Sequence, residues 1–218
     1  MATQVTLNSG SVDSAGSLLL RTNGTTTAVT IGTDQSVTTA GTINGLTVGK
    51  GAGSVSTNTA VGASALAANT SGAYSLAVGY QALNANTSGS YSTALGYQAG
   101  LSNTTGLVTA IGYQALIGNT TGSQNIGVGT QALKVNTTGG NNVALGDYSL
   151  QANTTASNNT AVGYQSGYSN TTGAALTAVG RNSMRSNTTA NDNTGVGDAA
   201  GYTNTTGTAL AAFGAGAL

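Results

Sequence analysis

The sequence predicts an all-β repeat solenoid of about ten coils, and three observations lead there. Ten glycines recur at a fixed step: Gly62, Gly79, Gly96, Gly112, Gly129, Gly146, Gly163, Gly180, Gly197 and Gly214, with eight intervals of 17 residues and one of 16. Self-similarity at one step is the signature of stacked units, each too small to bury a core alone. A 17-residue unit cannot hold a helical hairpin, and its Gly, Thr and Asn clusters oppose helix formation. Pro is absent from the whole chain, which suits unbroken strand ladders because Pro lacks the ladder N–H.

The period is not yet running in residues 1–55, which are read as a separate N-terminal β segment. Gln4–Leu7, Ser17–Arg21, Thr27–Ile31 and Thr42–Val48 read as short strands between Gly, Asn and Asp turns. This segment is expected to cap the first coil or attach the chain to a larger particle. An open β end exposes unpaired N–H and C=O groups, so rods need caps.

Residues 56–218 carry the repeat. The residue before each glycine is apolar: Val61, Val78, Leu95, Ile111, Val128, Leu145, Val162, Val179, Val196 and Phe213. These are the expected structural core, with a small residue (mostly Ala) one step earlier. Seven residues after each glycine of a complete unit stands an Asn: Asn69, Asn86, Asn103, Asn119, Asn136, Asn153, Asn170, Asn187 and Asn204. Thr follows each of them, then Ser or Thr. These Asn are expected to form a turn ladder, each bonding its own turn or the Asn one coil away. Every triplet also fits the N-glycosylation pattern, but recurrence at one register favours the turn ladder. Two short strands and two turns per coil are expected. The shortened unit loses its residue between Gly106 and Ala110, which marks an outward-facing loop there.

Composition narrows the function. Five basic residues balance five acidic ones, so no field steers nucleic acid or an anionic membrane. Cys and His are both absent. No disulfide, thiolate metal site, thiol nucleophile or imidazole base is available. No catalytic, metal or cofactor site is expected, and the chain reads as a non-enzyme. No stretch approaches a membrane span, and Met1-Ala2-Thr3-Gln4-Val5 lacks the pattern of a secretory signal. Each coil offers about two sizeable aliphatic side chains against the ordering of 17 residues. Burial against other chains is therefore expected, as a homotrimer. Ala215–Leu218 repeats the start of a further coil, which raises end-to-end stacking as a second self-contact.

The run Asn-Thr-Ala-Val-Gly-Tyr-Gln-Ser at 159–166 resembles the repeat of YadA-like trimeric autotransporter adhesin heads. The longer unit, with Tyr-Gln-Ala-Leu and Asn-Thr-Thr-Gly, is similar to repeats in tail-fibre and other virion structural proteins of bacteriophages, notably phages of cyanobacteria. The resemblance covers residues 58–218. It implies a left-handed parallel β-roll, three chains wide, with the aliphatic residue before the glycine turned inward. It also implies a phage fibre or spike located in the virion, joined to other virion proteins through the N-terminal segment. The alternative is a cell-surface adhesin or self-assembling extracellular filament. A more distant alternative is an ice-binding solenoid built on the Thr column from Thr70 to Thr205. Tyr80, Tyr97, Tyr113 and Tyr164 share the position after the glycine, where aromatic rings could grip a host-surface glycan. Other coils place Asp147 or Arg181 there, so simple exposure is the competing reading.

Overall fold

A computed structural model describes residues 46–218 without interruption, and before them the strands at 18–22, 26–31, 37–38 and 42–43. Two compact units divide the chain between Val48 and Gly49, a little before the boundary expected from the period. In the first, β1 (Leu18–Thr22), β2 (Thr26–Ile31) and β3 (Val37–Thr38) form an antiparallel sheet in that order. The expected strand Thr42–Val48 is instead a pair: β4 (Thr42–Ile43) runs antiparallel to β5 (Leu46–Gly49), with Ile43 opposite Leu46. Asn44-Gly45 separates them, and Asn-Gly is the strongest two-residue hairpin signal. The expected strand Gln4–Leu7 lies outside the described residues.

The second unit is the solenoid. Its strands are β6 (Thr59–Val61), β7 (Leu76–Val78), β8 (Thr93–Leu95), β9 (Val108–Ile111) and β10 (Asn125–Val128). They continue with β11 (Val143–Leu145), β12 (Thr160–Val162), β13 (Thr177–Val179), β14 (Thr194–Val196) and β15 (Ala211–Phe213). Each pairs in parallel with the equivalent strand of the next coil, Val61 beside Val78 and Val162 beside Val179. Ten strands thus bound nine complete coils.

Each coil contributes one strand, not the two expected. The rest is still laddered from coil to coil, as where Leu66 N–H donates to Ala82 O at 3.0 Å and Thr70 N–H to Thr87 O at 2.9 Å. Left-handed residues interrupt it, however: Gln81 at φ 56° and Leu83 at φ 48° recur in register through the coils. Those corners bend the chain too sharply for a second extended segment.

The core also differs from expectation. Successive strand residues face opposite sides, and here the small residue faces in: Ala77, Ala94, Ala110, Ala144, Ala161 and Ala178 are fully buried. The aliphatic residues after them, from Val61 to Phe213, therefore point outward in the single chain. Leu95 is 47% exposed and Phe213 68%, and most of the others are half-buried. A narrow interior, one strand and two corners wide, admits Ala beneath the strand and leaves room for one larger group per coil.

That larger group follows a rule. The fourth residue after each of the first nine glycines is Leu66, Leu83, Gly100, Leu116, Leu133, Leu150, Gly167, Met184 or Gly201. Each Leu, and Met184, is fully buried. The residue four before the next glycine is, in the same order, Ser75, Ser92, Val108, Asn125, Asn142, Asn159, Leu176, Asn193 or Leu210. Wherever the first position is Leu or Met, the second is Ser or Asn; wherever the first is Gly, the second is Val or Leu. One interior slot is filled once, from either side. Val108 and Leu176 are as fully buried as the leucines they replace.

The Asn at the second position completes the backbone instead of filling space. Asn142 Oδ1 accepts the Asn159 N–H at 3.0 Å, and Asn142 Nδ2 donates to Ala156 O at 2.9 Å. Close-packed interiors penalise both a void and an excess methylene, which accounts for strict alternation between the two fillings.

Candidate functional site

The expected Asn ladder forms, and it lies inside. Asn69 to Asn187 are buried at 1% exposure or less. Each side-chain amide donates to the Oδ1 of the Asn one coil back, at 2.7–3.4 Å from Asn86 to Asn204. The same Nδ2 reaches the carbonyl three residues on in its own turn, as from Asn136 to Gly139 O at 2.9 Å. Both amide protons are used, so in the folded protein these side chains serve structure. The Thr column beside them spends its hydroxyl protons too: Thr137 Oγ1 donates to Thr154 O at 3.0 Å, and so on along the rod. That column therefore presents no row of free hydroxyl donors to ice.

The outer surface carries two features that could meet a partner. One is the outer face of the ten solenoid strands. Its two columns are the residues from Val61 to Phe213 and, two positions earlier, Thr59, Leu76, Thr93, Thr109, Ile126, Val143, Thr160, Thr177, Thr194 and Ala211. All are aliphatic, aromatic or Thr, and none is charged. Leu76, Leu95, Ile126, Leu145, Val196 and Phe213 are its large exposed apolar residues, and contiguous apolar surface is what interaction faces present.

The other is the column after the glycine. Tyr80, Tyr97 and Tyr113 stack, with ring centroids 5.4 and 5.5 Å apart and planes within 17° and 12°. Tyr164 stands apart and meets Tyr148 edge-on at 6.0 Å. Stacking covers both faces of Tyr97 and one face each of Tyr80 and Tyr113. Sugar C–H groups favour the electron-rich ring face, so within this stack only the outer faces of Tyr80 and Tyr113 suit a glycan.

Beside the tyrosines, half-buried glutamines form a second amide ladder. Gln98 Nε2 donates to Gln81 Oε1, Gln114 to Gln98 and Gln131 to Gln114, at 2.9–3.1 Å. Its sequence signal was Gln two residues after the glycine in most coils. Further along the column after the glycine, Arg181 pairs with Asp198 at 2.7 Å. Hydrogen bonding to that carboxylate raises the guanidinium pKa, with Coulombic attraction adding to it. Both groups are exposed, so water screens the pair and it adds little to stability.

Among the described residues, no group of three or more acidic, His or Cys side chains is placed to hold a metal ion. No helix among them is long and apolar enough to cross a membrane. Together the single parallel sheet, the side-chain ladders and the slotted core define a parallel β-solenoid repeat protein. No protein-family model, curated protein or solved structure matches the chain.

Proposed function

We propose that the protein is a non-enzymatic structural fibre or spike of a phage virion, assembled as a homotrimer. The repeats extend outward, and the N-terminal segment, residues 1–55, joins other virion proteins. The observation that carries the reading is the uncharged outer sheet face, ten strands long, with Leu95 and Phe213 standing out from it. A parallel solenoid presents this face as a straight stripe, and self-association of identical stripes buries it along its whole length. Each coil is already closed inside, so the face is free to serve contact between chains. The mechanism is mechanical: ladders and interchain packing hold a stiff surface at a distance from the particle.

Light scattering of the full chain under native conditions tests the assembly, with a mass of three chains expected. Gold-labelled antibody to the repeats, applied to purified virions, tests the location, with label expected on projecting fibres. A monomeric mass removes the trimer, and unlabelled virions remove the fibre.

A further inference from the structure

We propose that the short coil carries a binding site for a pyranoside sugar, stacked on the free face of Tyr91. Tyr91 belongs to a column of left-handed residues immediately before the second slot position of each coil. Tyr74 at φ 56°, Tyr91 at φ 58°, Gln124 at φ 60° and Asn141 at φ 58° occupy it in turn. Tyr74 and Tyr91 stack at 5.1 Å with their planes 6° apart. Tyr74 covers the ring face toward the preceding coil.

The following coil is the one of 16 residues, and the residue it lacks is the one in this column. Leu107 passes directly to Val108. The chain therefore supplies no side chain for the third place in the stack, and Tyr91 is 63% exposed.

The same deletion frees a backbone acceptor. In other coils the N–H of this column donates to a carbonyl one coil back: Tyr91 to Ala73 O at 2.9 Å, Gln124 to Leu107 O at 2.7 Å. The donor for Ser90 O would be the missing residue, and Ser90 O receives no hydrogen bond from the described chain. On the far side, Gln124 is exposed, and its side-chain amide is not engaged with the chain.

The vacant place is one rung of the ladder, roughly 4.8 Å per coil. It is bounded by an aromatic face, an unused carbonyl acceptor and an amide offering both donor and acceptor. A sugar ring uses all three, with its C–H face on Tyr91 and its hydroxyls on Ser90 O and Gln124. A purely aromatic ligand would use the ring face and leave the carbonyl without a donor, so a polyol ring fits better. The site lies within one chain and does not depend on the number of chains in the assembly.

Saturation-transfer NMR on the full chain tests this, with the methyl glycosides of glucose, galactose, mannose and N-acetylglucosamine as probes. Transfer to the ring protons of at least one glycoside is expected, weakened at least ~10-fold by Tyr91→Ala. Ala175 and Ala209 stand in the same column, with φ 54° and 55°, so that variant keeps its backbone. A second variant inserts Asn between Leu107 and Val108, restoring the full-length coil with the residue type of Asn141. It is expected to abolish transfer while thermal stability holds or rises. Tyr97→Ala is expected to leave transfer unchanged. Absence of transfer from all four glycosides overturns the site, as does transfer that survives both Tyr91→Ala and the insertion. Loss with Tyr97→Ala alone puts the sugar on the other tyrosine column and overturns it equally.

Discussion

Gly167 and Leu176 share one interior slot: a Cβ built on Gly167 would lie 3.1 Å from Leu176 Cδ2, and 3.0 Å from Leu150 Cδ2 of the coil before. The coil before reverses the arrangement, with Leu150 filling the slot and Asn159 bonding the backbone. Gly167→Leu alone is expected to cost about 1–3 kcal/mol by overpacking. Leu176→Asn alone is expected to cost about 2–5 kcal/mol by emptying the slot. The double variant recreates the Leu150–Asn159 pattern and should recover about 2 kcal/mol of the summed loss as coupling. Chemical denaturation of the four proteins measures the cycle, and strict additivity would refute the shared slot.

Glycines in different columns should differ sharply in tolerance. Gly129 has φ +131°, and a Cβ there would lie 2.6 Å from the Gly146 carbonyl carbon, a backbone atom. Gly129→Ala therefore combines backbone strain with a clash that no rotamer relieves, and a loss of about 3 kcal/mol or more is expected. Gly140 has no left-handed φ, and the nearest atom to a Cβ there would be Ser123 O at 3.0 Å. Its column accepts Ser123, Ser157 and Ala174, so Gly140→Ala should cost about 1 kcal/mol or less. Thermal melts of the two variants compare them directly, and equal losses would count against the strain argument.

The Asn ladder should outweigh the Gln ladder. Asn136 donates to Asn119 Oδ1 at 2.7 Å and to Gly139 O at 2.9 Å, and accepts from Asn153 at 2.8 Å, all buried. Asn136→Ala strands these partners away from water, for an expected loss of about 3 kcal/mol. Gln114→Ala removes bonds that are only part-buried, and water replaces them at a cost of about 1 kcal/mol or less. Denaturation midpoints that rank the two variants in reverse would show that burial does not set the ladder's worth.

The proposed assembly predicts a specific failure. Val162→Asp places a charge in the middle of the outer sheet face without touching the coil interior. The mass is expected to fall from three chains to one, while the far-ultraviolet circular dichroism keeps its β signature. A variant that still assembles would move the contact between chains elsewhere on the coil.

Much of this architecture was legible because a repeat multiplies weak signals. The step located every strand of the solenoid, and Asn at one register in nine coils announced the buried ladder. The direction in which each strand faces was not legible, since Ala161 and Val162 are both apolar and alternation cannot say which is inside. Size settles it: the interior under the strand is too narrow for Val, while the slot beside it takes Leu150. The slot rule joins two positions at opposite ends of one unit, so aligning units on their glycines places Gly167 and Leu176 in separate columns and conceals that they meet. The place beside Tyr91 was hidden likewise. The lost residue was visible near Gly106, but assigning it to the tyrosine-bearing column required the coil-to-coil hydrogen bonds.

The two ways of filling the slot have a bearing on how such a gene can change length. Recombination between misaligned copies adds or removes whole coils and keeps the register. It also joins the first half of one coil to the second half of another. A breakpoint falling between the two slot positions can unite Gly167 with an Asn or Leu150 with a Leu, leaving the junction hollow or overfilled. Breakpoints that keep each slot's partners together carry no such penalty. The order of fillings along the rod therefore restricts which shortened or lengthened descendants can fold.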